Sequence, residues 1–205
     1  MRYIELKDFL RDFTVFSLSD IKKADNNFYK RRLNEWKAKG YIKKIIKGYY
    51  IFSDLALNES MLYEIANRIY SPSYISFEMA LSYYHLVPES VYSVTSATTR
   101  KTYTFNTEIA QFNYRTVKPD LFFGYELIDF NDKTFKISSM EKAILDYFYI
   151  NPHIKEEDDF ASLRLNTELF MKKINEKKLY QFLDRFHQKA LTKRIKRLME
   201  FIKNA

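Results

Sequence analysis

The chain has 205 residues, room for one large or two small domains, and its 46% hydrophobic and 29% charged residues are the balance of an ordered globular protein. It contains no cysteine, which excludes disulfides, thiolate metal sites and cysteine nucleophiles, and no charge-free stretch exceeds ten residues, too short to cross a bilayer. The net charge of +8 is unevenly placed: residues 21–48 carry ten basic and two acidic side chains, residues 172–205 eleven and three, and residues 49–171 a net −7. That asymmetry points to a polyanionic partner for the two basic segments.

In chain order, Tyr3, Ile4, Leu6, Phe9, Leu10 and Phe13 fit the apolar side of a first helix. Acids at Glu5 and Asp8 fall where a signal peptide would have its apolar core, so a cytoplasmic protein with no membrane partner is expected. Ser17 and Asp20 have the spacing of a capping box, which opens a second helix running to about Ala24. Asn26 or Asn27 then caps a third helix, stopped at Gly40, with Tyr29, Leu33 and Trp36 as its apolar stripe. Tyr41 to Phe52 is a β-branched and aromatic run interrupted at Lys47-Gly48, the pattern of a two-stranded hairpin.

Beyond a boundary near residues 53–56, Asn58 caps a helix carrying Met61, Leu62, Ile65, Ala66 and Ile69, which Ser71-Pro72-Ser73 breaks. Ser76 opens a short helix with Ala80, Leu81 and Tyr84. Segments 91–95, 101–105, 112–117 and 121–123 read as strands joined by polar links, which predicts an antiparallel meander. Ser138 and Glu141 form a second capping box, opening a helix through Ala143, Ile144, Tyr147 and Phe148 that Pro152 ends. Lys142 and Asp146 then read as an i,i+4 ion pair. Glu156 to Asp159 reads as a solvated acidic loop, and the tail as helices with stripes Leu179, Phe182, Leu183, Phe186 and Leu191, Ile195, Leu198, Ile202. Its cations Lys189, Lys193, Arg194, Lys196 and Arg197 suit either a phosphate-rich partner or an ordinary solvated face.

The constellation with chemical content lies in the first 52 residues. At about 100° per residue, the third helix turns Asn27, Lys30, Arg31 and Asn34 away from its apolar stripe. In a helix-turn-helix that face meets base edges: Asn pairs with adenine, and Lys or Arg reaches guanine or phosphate. Lys37, Lys39, Lys43, Lys44 and Lys47, at the helix end and hairpin, then hold backbone phosphates. Neutralising about six phosphates makes affinity fall steeply with salt. A three-helix bundle with a basic face for protein contact is the competing reading. The three histidines, His85, His153 and His187, are far apart, the glycines Gly40, Gly48 and Gly124 are scattered, and no Gly-x-Ser-x-Gly elbow occurs. Neither an enzyme, a metal site nor a cofactor is expected.

Four blocks together resemble the AbiEi family of bacterial antitoxins from type IV toxin–antitoxin systems. Lys47-Gly48-Tyr49-Tyr50 is similar to that family's Arg-Gly-x-Tyr wing; Tyr74-Ile75-Ser76 through Ala80-Leu81 and Leu86 to its Tyr-Ile-Ser…Ala-Leu…Gly-Leu block; Val94-Thr95 with Arg100 to its Val-Thr-x…Arg strand; and Glu141 to Asp146 to its Glu-Lys-Ala-x-x-Asp helix start. Lys47 stands where the family has Arg, removing a bidentate phosphate contact but not the charge, and His85 stands near an expected Gly. The resemblance spans roughly residues 1–150. It implies an autoregulator that binds its own operator as duplex DNA, with a homodimer on DNA as one arrangement, and opposes a nucleotidyltransferase toxin without an assumed direct contact.

The expected fold is therefore α+β: a winged helix-turn-helix over residues 1–52, then a mixed α+β antitoxin or effector domain over 56–205 with an antiparallel sheet, flanking helices and a helical C-terminus. Asn27, Lys30, Arg31 and Asn34 are the expected base readers; Lys37, Lys43, Lys44 and Lys47 are the expected phosphate contacts. A plain winged-helix transcription factor with a ligand-sensing or dimerisation domain, and an RNA-binding module, are the alternatives.

Overall fold

A computed structural model describes residues 1–88 and 93–204. Among them the chain forms ten α-helices and two sheets, of three and six strands, a mixed α+β architecture. None of the helices among the described residues is long and apolar enough to cross a membrane.

The first unit runs α1 (Tyr3–Phe9), β1 (Phe16–Ser17), α2 (Leu18–Ala24), α3 (Arg31–Ala38), β2 (Ile42–Ile46) and β3 (Tyr49–Phe52). The short α1 buries Leu6, with Leu10 buried at its C-cap, and leaves Ile4 72% and Phe9 44% exposed, so only part of its expected apolar side faces inward. Entry to α2 follows the sequence pattern: Ser17 Oγ accepts from the Asp20 amide and the Asp20 carboxylate accepts from the Ser17 amide at 2.9 Å.

The third helix starts later than the expected cap. Asn26 and Asn27 lie in a turn held by the Asn27 amide on the Asp25 carboxylate at 3.2 Å, and Lys30 is the N-cap, without a side-chain cap bond. Of two adjacent aromatics only one can face the core. Phe28 does so, 5.5 Å from the Trp36 ring, and Tyr29 is turned out, 66% exposed, so Phe28 rather than Tyr29 joins Leu33 and Trp36. Gly40 (φ 72°) and Gly48 (φ 92°) both take the left-handed conformation that ends α3 and turns the hairpin.

The three strands pair antiparallel in the order β1-β3-β2. Alternation along the strands divides their side chains: Phe16, Ile42, Tyr50 and Phe52 face α1–α3, and Val15, Ile45 and Ile51 join the large core of the rest of the chain. Between the two units Arg68 pairs with Asp20 at 3.1 Å and Lys133 Nζ donates to Thr14 Oγ1 at 2.7 Å. Although burial pushes the Asp20 carboxyl up, hydrogen bonds from Ser17 and the charge of Arg68 outweigh it and hold the group below the usual carboxylate range. Its stabilising contribution is present above the unfolded value of about 3.9 and is lost as pH falls below it. The stability gap between wild type and Asp20→Asn, read from denaturant unfolding, narrows as pH drops from 6 to about 3. A gap constant across that range would rule out the carboxylate charge as its source.

The second unit contains α4 (Glu59–Ile69), β4 (Ser73–Ile75), α5 (Phe77–Tyr83), β5 (Ser93–Thr98), β6 (Tyr103–Asn106), β7 (Gln111–Thr116), β8 (Tyr125–Phe130), β9 (Lys133–Ser138) and α6 (Met140–Ile150). Asn58 caps α4 as its position implies, accepting from the Met61 amide at 2.9 Å. The sheet is not an antiparallel meander. Its order is β6-β7-β5-β4-β9-β8, with β5 parallel to β7 and β4 parallel to β9. Burial decides this order: β4 and nearly all of β5 are buried on both faces and take the centre, whereas the largely exposed β6 and β8 take the edges. The expected strand at 121–123 is replaced by a 3₁₀ turn at Pro119–Leu121, and Val91 and Tyr92 lie outside the described residues.

Helices α7 (Glu157–Ser162), α8 (Thr167–Lys173), α9 (Glu176–Asp184) and α10 (Lys189–Asn204) complete the chain. The acidic run is not a loop. Glu157, Asp158 and Asp159 occupy the first turn of α7, where the helix dipole favours anions, and Asp159 accepts from the Lys155 and Glu156 amides. Leu179, Leu183, Leu191, Ile195, Leu198 and Ile202 of the expected stripes are buried on α9 and α10, as is Phe186 just beyond α9, whereas Phe182 is half-buried. Arg194 leaves the solvated face: it is buried and donates to the carbonyls of Phe148, Asn151 and Ile154, capping the end of α6.

Candidate nucleic-acid interface

With Leu33 and Trp36 held in the core, the helical repeat directs Lys30, Arg31, Asn34 and Lys37 to the outer face of α3, where all four are exposed. Asn27 is exposed too, but in the turn ahead of the helix rather than on it, beside the outward ring of Tyr29. Arg31 faces Glu35 at 3.9 Å with both groups exposed, a contact weak enough to be exchanged for a phosphate. Among the described residues none of Lys30, Lys37, Lys43, Lys44 and Lys47 forms an ion pair, so their charge is available to a ligand.

The hairpin adds the second half. Exposed Lys43 and Lys44 lie on β2, and Lys47 is exposed at the tip ahead of Gly48. Between the end of α3 and β2 runs a cleft of about 440 Å³, bordered by Lys37, Lys43, Lys44, Ser53 and, from the second unit, Glu108. The structure thus gathers Lys37, Lys43 and Lys44 around one cleft and Lys30, Arg31 and Asn34 on the adjoining helix face; Lys47 stands apart at the tip. Two residues at this surface are not where the sequence pattern puts them or carry no signal in it. Tyr29 fits the helical stripe by spacing, but α3 begins only at Arg31, so its ring is free to turn outward; Glu108 has no local signal, because it is delivered to the cleft by the β6–β7 turn of the second unit.

A different cluster is enclosed. Lys142 and Asp146, read from sequence as an i,i+4 pair, are both wholly buried and in direct contact. Asp146 also accepts from Tyr74 Oη at 2.8 Å and Ser76 Oγ at 2.9 Å, and Lys142 Nζ donates to Tyr74 Oη at 3.0 Å. The Phe123 and Phe186 rings lie 4.9 and 5.1 Å from the ammonium. Gly124 fits here because a Cβ would come within 2.9 Å of Phe182 and 3.2 Å of Lys142. Burial pushes the Lys142 ammonium down and the Asp146 carboxyl up, with their mutual attraction opposing both shifts, and burial raises Tyr74 well above a normal phenol. Neither Lys142 nor Asp146 has solvent access, so the cluster is a structural tie between β4 and α6 rather than a site for a ligand.

Glu141 likewise has a different partner from the expected one. The N-cap of α6 is Ser139, not Ser138, and Glu141 accepts from Ser139 Oγ at 2.9 Å, the Asn175 amide at 3.1 Å and Lys178 at 3.1 Å, which joins α6 to α9. Burial raises its carboxyl, but these donors outweigh burial and hold it below the usual range. The histidines are not gathered, and among the described residues no three His, Asp or Glu side chains group as a metal site.

No family model matches the chain, and no curated protein is similar to it.

Proposed function

We propose that residues 1–52 are a winged helix-turn-helix that binds duplex DNA, and that the chain is a non-catalytic transcriptional autoregulator acting as the antitoxin of a type IV toxin–antitoxin pair. The observation that carries the DNA reading is the exposed cationic face of α3, whose one ion pair among the described residues is the long Arg31–Glu35 contact, beside the lysines of the β2–β3 hairpin. The element order α1-β1-α2-α3-β2-β3 with sheet order β1-β3-β2 supports it, because that arrangement sets a hairpin next to a helix presented outward. In this reading Lys30, Arg31 and Asn34 meet base edges in the major groove. Asn27 approaches from the turn, and Lys37, Lys43, Lys44 and Lys47 hold the phosphate strands.

The antitoxin role rests on the four sequence blocks that resemble the AbiEi family, and the partner it implies is a nucleotidyltransferase toxin opposed without a required stable complex. Titration of the full chain with duplex DNA from its own promoter and with a structured RNA of equal charge tests the first part. Tighter binding to the duplex, with a steep loss between 50 and 200 mM salt, is expected. Preference for the RNA would transfer the cationic face to a different ligand. Co-expression with the product of the neighbouring reading frame tests the second part by rescue of growth.

A further inference from the structure

The cleft between α3 and β2 contains a charge of the wrong sign for a phosphate site. Glu108 comes from the β6–β7 turn of the second unit, yet it borders the same space as Lys37, Lys43 and Lys44. It is exposed and, among the described residues, forms no ion pair. Its placement is built rather than casual. Thr107 Oγ1 accepts from the amides of Ile109 and Ala110 at 3.3 and 3.2 Å and donates to the Ala110 carbonyl at 2.7 Å, closing the turn. Ile109 and Ala110 pack against the large core, which fixes the turn from below and leaves Glu108 as the residue directed outward.

We propose that Glu108 is an electrostatic brake within the DNA cleft, lowering the affinity of the lysine cluster for any phosphodiester strand. The proposal rests on the DNA-binding reading and adds to it that the second unit takes part in the interface. A strand laid along Lys37, Lys43 and Lys44 passes the Glu108 carboxylate, and repulsion there subtracts from the attraction of the three ammonium groups. Because phosphate is the same in every sequence, the brake acts equally on all duplexes. Binding to non-operator DNA is thereby kept weak, and base contacts on α3 become decisive for residence at a particular site.

The test uses the full chain with two probes of equal length, a duplex from its own upstream region and a random-sequence duplex, titrated at several salt concentrations. Glu108→Gln is expected to raise affinity for both duplexes by about three- to tenfold at low salt. Glu108→Lys is expected to raise it further and to steepen the salt dependence by about one released ion. Thermal unfolding of each variant checks that the exposed site leaves the fold unchanged. A selective loss of affinity for the upstream duplex would overturn the brake and make Glu108 a base reader. Unchanged binding to both, with wild type binding normally, would place Glu108 outside the interface. A wild-type chain that binds neither duplex would instead remove the DNA reading itself.

Discussion

Lys142→Met is expected to lower the free energy of unfolding by about 3–5 kcal/mol, the cost of breaking a buried ion pair by removing one partner. Methionine replaces most of the hydrocarbon stem, so the loss is not chiefly a cavity. It arises because Asp146 is left wholly buried with only the hydroxyls of Tyr74 and Ser76 to stabilise its charge. The carboxyl, already pushed up by burial, rises further once the ammonium that opposed the shift is gone, so the folded state binds the proton more tightly than the unfolded one and stability falls more steeply with rising pH than in wild type. For a chain of this size the melting temperature falls by on the order of 10 °C. Lys142→Met combined with Asp146→Leu strands neither charge and recovers a substantial part of the loss, as coupled sites do. Denaturant unfolding of both variants decides the matter. A single replacement costing under about 1 kcal/mol, or a double costing the full sum of its parts, would contradict a buried Lys142–Asp146 ion pair on α6.

The second large effect concerns binding. Lys30→Ala with Arg31→Ala is expected to weaken duplex binding at least about tenfold and to reduce the salt slope by about two ions. Both side chains are exposed at the N-terminal end of α3, and among the described residues the one ion pair or side-chain hydrogen bond either makes is the long, solvent-screened approach of Arg31 to Glu35. Their removal therefore leaves the packing of Leu33 and Trp36 intact, and the melting temperature should move by no more than a degree or two. Arginine loses more than lysine here, because its planar fork can hold two acceptors on one guanine or one phosphate. Unchanged affinity in this variant, measured at low salt where electrostatic contacts are strongest, would remove α3 from the interface. The effect also separates the two halves of the surface: loss of Lys43 and Lys44 should weaken all duplexes alike, whereas loss of Asn34 should act on particular sequences.

The exposure of several candidate site residues is legible because it follows from a short-range pattern. Once Leu33 and Trp36 are assigned to the core, helix geometry alone sends Lys30, Arg31, Asn34 and Lys37 outward, and the structure places them there. Asn27 was misplaced for an equally local reason. An Asn before a helix is as able to sit in a turn as to cap, and the Asp25 carboxylate fixed the turn. Arg194 departs in the opposite sense, and Lys142 pairs with Asp146 as its spacing implies but in the interior, which the spacing does not indicate. A charged residue in a helical pattern is ordinarily solvated, and only the approach of distant backbone carbonyls, or of Tyr74 and Asp146, makes burial of the charge tolerable.

The chain by itself determined what depends on a few neighbouring residues: the Ser17–Asp20 box, the Asn58 cap, the turns at Gly40 and Gly48, the apolar stripes of α9 and α10, and the concentration of cations over residues 21–48. Each follows from dihedral preference, a hydrogen bond spanning three residues, or a 3.6-residue period. Tertiary structure alone decided the strand order, the burial of Lys142 with Asp146, and the delivery of Glu108 to the lysine cleft. Those outcomes come from competition among distant segments for the same core, and no window of sequence records which segment prevails.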